Sequence, residues 1–318
     1  MIIKESWKYH LLPFFFLAGL TVSPAPSAGS PPTLSAAARP ISEIAVGASS
    51  FEAALPGGET IKVFTYRAEN HGPDDPIIIL LAGGGRNGAD YRDSWIRAAE
   101  RFRLLILAPS FDEAQFPGPI NYNLAGMVRE DADVATLRNV VLEQPETWLF
   151  SDMEAIFDQA VARTGSRQTR YDLFGHSAGA QIVHRMILFA PETRVRTAVA
   201  ANSGWYTVPA QNVSFPYGLG GISLPGEQLE KAFGRRLVLL LGERDDAHET
   251  RGHLRSSPEA NAQGPHRLAR GEYFHDLATS EATRLGLLLN WRLGMIPGVG
   301  HDYRRMGEAA AHQIYGTP

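Results

Sequence analysis

The sequence predicts an α/β fold, with a mostly parallel central sheet flanked by helices on both faces. Three observations carry this expectation. The continuous apolar runs IIILL (77–81), LLILAP (104–109) and RLVLLLG (236–242) have the character of strands buried on both faces. Stretches of helical periodicity alternate with them, as βα units require. Finally, YDLF (171–174) runs through Gly175-His176-Ser177-Ala178-Gly179 straight into AQIVHRMILFA, a strand, a tight turn and a helix around one serine.

The elements follow in chain order. Lys4 and Lys8 precede an apolar run over 11–22, and SPAPSAGSPP follows it. That layout predicts a signal peptide over 1–28, cut after Ala28 or Gly29. The run is short for a membrane span. Pro13 within it and loose small-residue spacing before Ala28 leave an uncleaved anchor as the alternative. Residues 29–42, rich in Pro, Ser and Ala, read as a flexible leader. The catalytic domain is expected over 43–318.

Within that domain, IKVFTYR (61–67) alternates as a partly exposed edge strand would, and 77–81 and 104–109 are buried strands joined by a helix over 90–102. A helix over 150–163 places Met153, Ile156, Phe157, Ala160 and Val161 on one face. Strands at 171–174, 197–204, 236–242 and 290–293 follow, with helices after Ser177, over 276–288 and after GVGHD (298–302). Two stretches, 110–149 and 205–235, are too long for simple connections. Such loops at strand ends build substrate pockets.

Composition narrows the function. A chain of 318 residues, 44% hydrophobic and 20% charged, can bury a sizeable core. A net charge of -4 and the lack of a basic cluster offer no footprint for nucleic acid. The absence of cysteine excludes disulfides, thiolate metal sites, a cysteine nucleophile and a lipoprotein anchor. Export without disulfides points to a bacterial periplasmic or extracellular protein.

The chemistry centres on Ser177. A serine hydroxyl is a weak nucleophile unless it is exposed, fixed and paired with a base, and a strand-to-helix turn of this kind holds it outward. Gly175 and Gly179 are expected on steric grounds. A base needs an orienting carboxylate. The buried run 236–242 ends in Glu243, Asp245 and Asp246; Asp245 is the first choice, the other two its competitors. For the base, His301 lies in a glycine-flanked loop between the last strand and the terminal helix. His248, His253, His266, His275 and His312 lack that context.

The third element is the run Ala82-Gly83-Gly84-Gly85-Arg86-Asn87-Gly88 after a buried strand. Bare glycine N–H groups there could face a developing oxyanion, so Ala178 with Gly84 or Gly85 is expected to supply the donors. No Gly-Lys-Ser/Thr ends the run, and its spacing does not suit a dinucleotide. Trp205 and Tyr206 could wall a substrate pocket, as could Tyr122. Among His248, His253, His266 and His275 no compact ligand spacing occurs, so no metal and no cofactor is expected. The segment SSPEANAQGPHRLARGEYF (256–274) yields no derivable chemistry beyond bracing the acid and histidine loops.

The AGGGRNG loop, GHSAG turn, GERD turn and GVGHD loop together resemble an α/β-hydrolase over nearly all of residues 45–318. The chain order serine, acid, histidine is that of the superfamily. Within it, LLAGGGRNGADY is similar to the oxyanion loop of secreted esterases of the polyhydroxybutyrate-depolymerase and feruloyl-esterase kind, which often reads L-H-G-x-G-x-N-x-x-D-Y. By that match Gly84 would be a donor. Ala82 stands where such enzymes usually carry histidine, several secreted relatives are disulfide-bonded, and no appended polymer-binding domain is expected.

The resemblance implies a secreted serine hydrolase that cleaves small or polymeric carboxylic esters through Ser177, His301 and Asp245, without a cofactor. A peptidase of the same fold, a non-catalytic binding protein on that scaffold and a metal-dependent enzyme are the alternatives. If the signal peptide is processed as expected, the mass of protein recovered from a bacterial periplasm or medium places the first residue at Gly29 or Ser30. Recovery of the uncut chain in the membrane fraction is the opposite result.

Overall fold

The computed structural model describes residues 43–129, 132–133, 140–224, 226–247 and 254–316. The predicted signal peptide and leader, and with them His248 and His253, lie outside the described residues. No helix among those described is long and apolar enough to cross a membrane.

Eight strands and nine helices alternate among the described residues. The first half runs β1 (Gly47–Ala54), β2 (Thr60–Arg67), β3 (Ile77–Leu81), α1 (Gly88–Ser94), α2 (Ile96–Phe102), β4 (Leu105–Pro109), α3 (Gly118–Asn121) and α4 (Leu149–Thr164). The second runs β5 (Tyr171–His176), α5 (Ala178–Phe189), β6 (Val195–Ala201), α6 (Gln228–Gly234), β7 (Leu237–Gly242), α7 (Pro258–Ala262), α8 (Arg267–Leu285), β8 (Trp291–Ile296) and α9 (Tyr303–Tyr315). The strands form one sheet in the order β1-β2-β4-β3-β5-β6-β7-β8. β3 to β8 run parallel, while β2 pairs antiparallel with both β1 and β4.

The apolar runs explain both layers. In IIILL every residue is buried, because alternate side chains point to opposite faces. Ile77, Ile79 and Leu81 join the core under α4, α5 and α8 with Met153, Ile182 and Phe274. Ile78 and Leu80 join the opposite core with Trp95 and Met306, from the α1–α2 junction and α9.

The strand order places the site. From β3 the chain steps outward to β4, then crosses back past β3 to β5, which pairs with β3 through Ile78–Asp172 and Leu81–Gly175. The connections after β3 and β5 therefore diverge and leave a crevice between their carboxyl ends. In open α/β sheets that switch point is where ligands bind. The glycine run and the serine turn flank it.

Several elements differ from expectation. β2 is not an edge strand, since β1 covers it; its alternation, with Ile61, Val63 and Thr65 buried, reflects one buried face rather than an open edge. The helix expected over 90–102 is two helices joined at Trp95, whose buried ring lies 5.2 Å from that of Phe174. The helix expected to open at 276 begins at Arg267, where the His266 ring nitrogen accepts the Ala269 N–H at 3.2 Å. Its end at Gly286 is set by a left-handed cap, φ 69°. α6 falls inside the stretch read as loop, its packing face being only Ala232 and Phe233.

Candidate active site

Ser177 occupies the junction of β5 and α5 at φ 56° and ψ -112°. A side chain at positive φ in that region is strained, by about 1–3 kcal/mol. The surroundings hold it there: its N–H donates to the Ala201 carbonyl at 2.9 Å, and its carbonyl accepts the Gln181 N–H at 3.3 Å. The two flanking glycines are explained by contact. A Cβ on Gly175 would overlap the Gly179 backbone and meet Val183 Cγ2 at 2.7 Å; one on Gly179 would overlap the Leu81 carbonyl. Helix α5 thus starts in direct contact with the end of β3, which only a residue without a side chain permits.

The acid and base come from neighbouring strand ends. Asp245, in the turn after β7, accepts a hydrogen bond from His301 Nδ1 at 2.7 Å and is buried. Glu243 instead accepts the Gly298 N–H at 2.6 Å and is exposed, as is Asp246. Of the three carboxylates left open by the sequence, Asp245 is the one on the imidazole. With Nδ1 so engaged, Nε2 is the ring nitrogen left for another partner. Of the remaining histidines, His266 caps α8, His275 lies beside Asp276, and His312 packs edge-on to Phe102.

Arg267 and Asn202 hold these two loops. Arg267 lies 3.7 Å from the second Asp245 oxygen, and the Leu268 N–H donates to the Asp245 carbonyl at 3.1 Å. The segment over 256–274, opaque in the sequence, thus braces the acid. Asn202, at φ 50°, accepts the Gly242 N–H at 2.8 Å and donates to the Gly300 carbonyl at 3.0 Å, tying the end of β7 to the His301 loop. Its place after a buried strand was the only signal of this role.

The glycine loop lies across from the elbow. Among the described residues, the N–H groups of Gly84, Gly85 and Ala178 are bonded to no protein acceptor. A Cβ on Gly84 would meet nothing within 4 Å. Arg86, at φ 53°, donates to the carbonyls of Phe111, Phe116 and Gly118, fixing the loop to the long connection after β4. Gly84, Gly85, Ser177, Ala178, His301 and Trp205 all line one cavity of about 1030 Å³. Leu254, Arg255 and Arg267 form another part of its wall.

Two expected pocket residues are elsewhere. Tyr122 is buried outside the cavity lining, with its ring under the Arg86 guanidinium at 3.9 Å and its hydroxyl donating to the Ala82 carbonyl at 2.6 Å. It supports the glycine loop from beneath. Tyr206 lies in the core, stacked on Phe274 at 4.5 Å, with its N–H and carbonyl both bonded to the Gln263 amide. Of the two neighbours only Trp205 lines the cavity. Trp205 in turn rests on the buried Arg185 guanidinium, 4.3 Å away. Arg185 also donates to the Asn123 and Gln181 carbonyls at 2.8 and 3.0 Å, and burial pushes its pKa down to about 9. It remains charged at neutral pH. Among the described residues no three His, Asp or Glu side chains converge as a metal-ligand set.

The chain is 34% identical to poly(aspartic acid) hydrolase-1 from Sphingomonas sp. KT-1, over 86% of its own length and 100% of that chain, with a TM-score of 0.79. It is 32% identical to the poly(3-hydroxybutyrate) depolymerase LpqC from Bordetella parapertussis, over 85% of its own length and 91% of that chain, with a TM-score of 0.76. The chain belongs to the polyhydroxybutyrate-depolymerase-like α/β-hydrolases. The siderophore hydrolase EstB from Aspergillus nidulans shares the fold at 14% identity, over 92% of this chain and 98% of that one, with a TM-score of 0.51. No protein-family model and no curated sequence matches the chain.

Two histidines of this hydrolase are held neutral. Burial, with smaller contributions from His301 and Arg267, keeps the His176 pKa well below the ordinary histidine value. Burial does the same for His184, helped by Arg185. His184 Nε2 accepts the Thr207 N–H at 3.0 Å while Nδ1 faces the Ala180 carbonyl at 3.0 Å, a pattern only the neutral ring can make. Their folded pKa values lie below the unfolded one, so the unfolded chain binds more protons and stability falls as pH drops through about 6.5. From pH 7.5 to 5.5 both histidines lower stability, while the Asp152 carboxyl, pushed up to about 7 by burial, takes up its proton in the same range and opposes them. Urea unfolding of His184→Gln beside the wild type is expected to show a smaller loss of stability between the two pH values in the variant; the same pH dependence in both is the contrary result.

Proposed function

We propose that this hydrolase cleaves carboxylic esters by acyl-enzyme chemistry outside the cytoplasm, with Ser177 as nucleophile. The observation that carries the reading is the 2.7 Å hydrogen bond from His301 to buried Asp245, on the same cavity as the strained serine turn. In this reading His301 Nε2 takes the Ser177 proton as the hydroxyl attacks the substrate carbonyl. The Asp245 carboxylate fixes the tautomer and offsets the imidazolium charge. The negative charge on the carbonyl oxygen falls to the N–H groups of Ala178 and of Gly84 or Gly85. Such donors are each worth about 3–4 kcal/mol of barrier. His301 then gives its proton to the leaving alcohol, and a water activated by the same nitrogen releases the acid.

Cleavage of polymer chains is supported by two points. The cavity has room for several repeat units. Two similar structures are a poly(aspartic acid) hydrolase and a poly(3-hydroxybutyrate) depolymerase. The former makes amide hydrolysis the second reading, because the units of poly(aspartic acid) are joined by amides.

The test is kinetic. Ser177→Ala is expected to lower hydrolysis of p-nitrophenyl butyrate to the background rate, and Asp245→Asn to lower kcat about 10⁴-fold with the fold intact. A butyryl anilide measured alongside separates ester from amide cleavage. Full activity in Ser177→Ala would falsify the reading.

A further inference from the structure

We propose that Tyr91 is the positioning residue of the oxyanion donors: its buried hydroxyl fastens the glycine loop to the serine turn and so fixes the direction of the Gly84 and Gly85 N–H groups. The inference rests on the serine-hydrolase reading above. It also gives a role to the tyrosine that closes LLAGGGRNGADY, which the mechanism leaves unused.

The Tyr91 side chain comes from α1 and is 2% exposed. Its oxygen accepts the Gly83 N–H at 2.9 Å and lies 3.1 Å from His176 Nδ1. His176 is held neutral by burial; whether the phenol or Nδ1 donates in the second bond, the same two atoms are joined, and the bridge stands on that geometry. One hydroxyl thus bonds the residue before Gly84 to the residue before Ser177, bridging the two halves of the donor set.

The bridge has little play. A Cβ on Gly83 would stand 3.1 Å from the Tyr91 oxygen and 3.5 Å from Ser177 Cβ, so loop and turn are already in near contact. The Tyr91 ring is stacked on Tyr303 at 4.4 Å and 15°. Tyr303 opens α9 two residues after His301, and the His176 and His301 rings lie 4.5 Å apart. Glycine loop, serine turn and base loop therefore meet around one phenol. Without its oxygen the Gly83 N–H loses its acceptor, and the next two N–H groups lose their aim. Donors so placed act on an oxygen that becomes charged only in the transition state, so the loss falls on kcat and not on substrate binding.

Tyr91→Phe keeps the ring and its stack on Tyr303. Against p-nitrophenyl butyrate it is expected to lower kcat about 10- to 100-fold with KM within about twofold, since misplacing such groups by an ångström costs about that much. Affinity for a trifluoromethyl ketone, which forms a charged adduct on the serine, should fall by the same factor. Rates are taken per site titrated with a fluorophosphonate, so partial unfolding does not imitate the effect. If Tyr91→Phe yields no folded protein, His176→Phe removes the other end of the bridge and carries the same readouts. An unchanged kcat, a loss confined to KM, or an unchanged ketone affinity overturns the proposal. If instead Ser177→Ala retains the wild-type rate, it is the serine-hydrolase reading that fails.

Discussion

Helix α5 begins against the end of β3, so close that any side chain at Gly179 would overlap the Leu81 carbonyl. The rest of the site depends on that contact. It forces the chain to turn within one residue, and Ser177 takes up φ 56° as the result. It also sets the serine beside the glycine loop, because that loop continues from the same strand. The local strain is offset by the parallel sheet around it, whose β3, β5 and β7 are buried along their length and β6 at every residue but Arg196. A flexible serine loop could reach the same place, but it would lose the fixed geometry that acyl transfer requires.

The polar groups around the elbow follow a single pattern: each loop that brings a functional group is tied to a neighbour by a buried side chain. Asn202 joins the ends of β7 and the His301 loop, and Arg267 stands behind Asp245. Arg86 fixes the glycine loop to the connection after β4, and Arg185 seats Trp205. Most of these ties end on backbone carbonyls, which accept a buried cation's hydrogen bonds without adding a negative charge to the cavity. The buried Arg185 rests on the Thr207 hydroxyl and two backbone carbonyls through Nε and Nη1, while its Nη2 has no protein acceptor among the described residues.

Much of this was legible in the sequence, for a physical reason. Strands buried on both faces are apolar throughout, so IIILL and LVLLLG reveal themselves without context, and the serine turn is readable because its glycines answer to hard-sphere contact. Ser177 and Asp245 follow buried strands, and His301 follows β8, a half-exposed edge strand, where flanking glycines and the helix after it marked the place. What escaped depends on partners distant in sequence. β2 reads as an edge until β1 is seen beside it. Tyr122 and Tyr206 look like pocket aromatics, yet which way a loop tyrosine points is decided by Ala82 and Gln263, neither adjacent to it. Arg267 and Asn202 act only through the loops they hold, and no local pattern announces that.

The central claim is that Ser177 carries the acyl group, and it can be tested without any substitution. Mixing the protein with p-nitrophenyl trimethylacetate, whose hindered acyl group is slow to hydrolyse, should release nitrophenol in a burst matching the number of sites. Acid quenching and peptide mass analysis should then find the trimethylacetyl group on the peptide containing Ser177. A linear release with no acylated peptide, or the acyl group on another residue, contradicts the account.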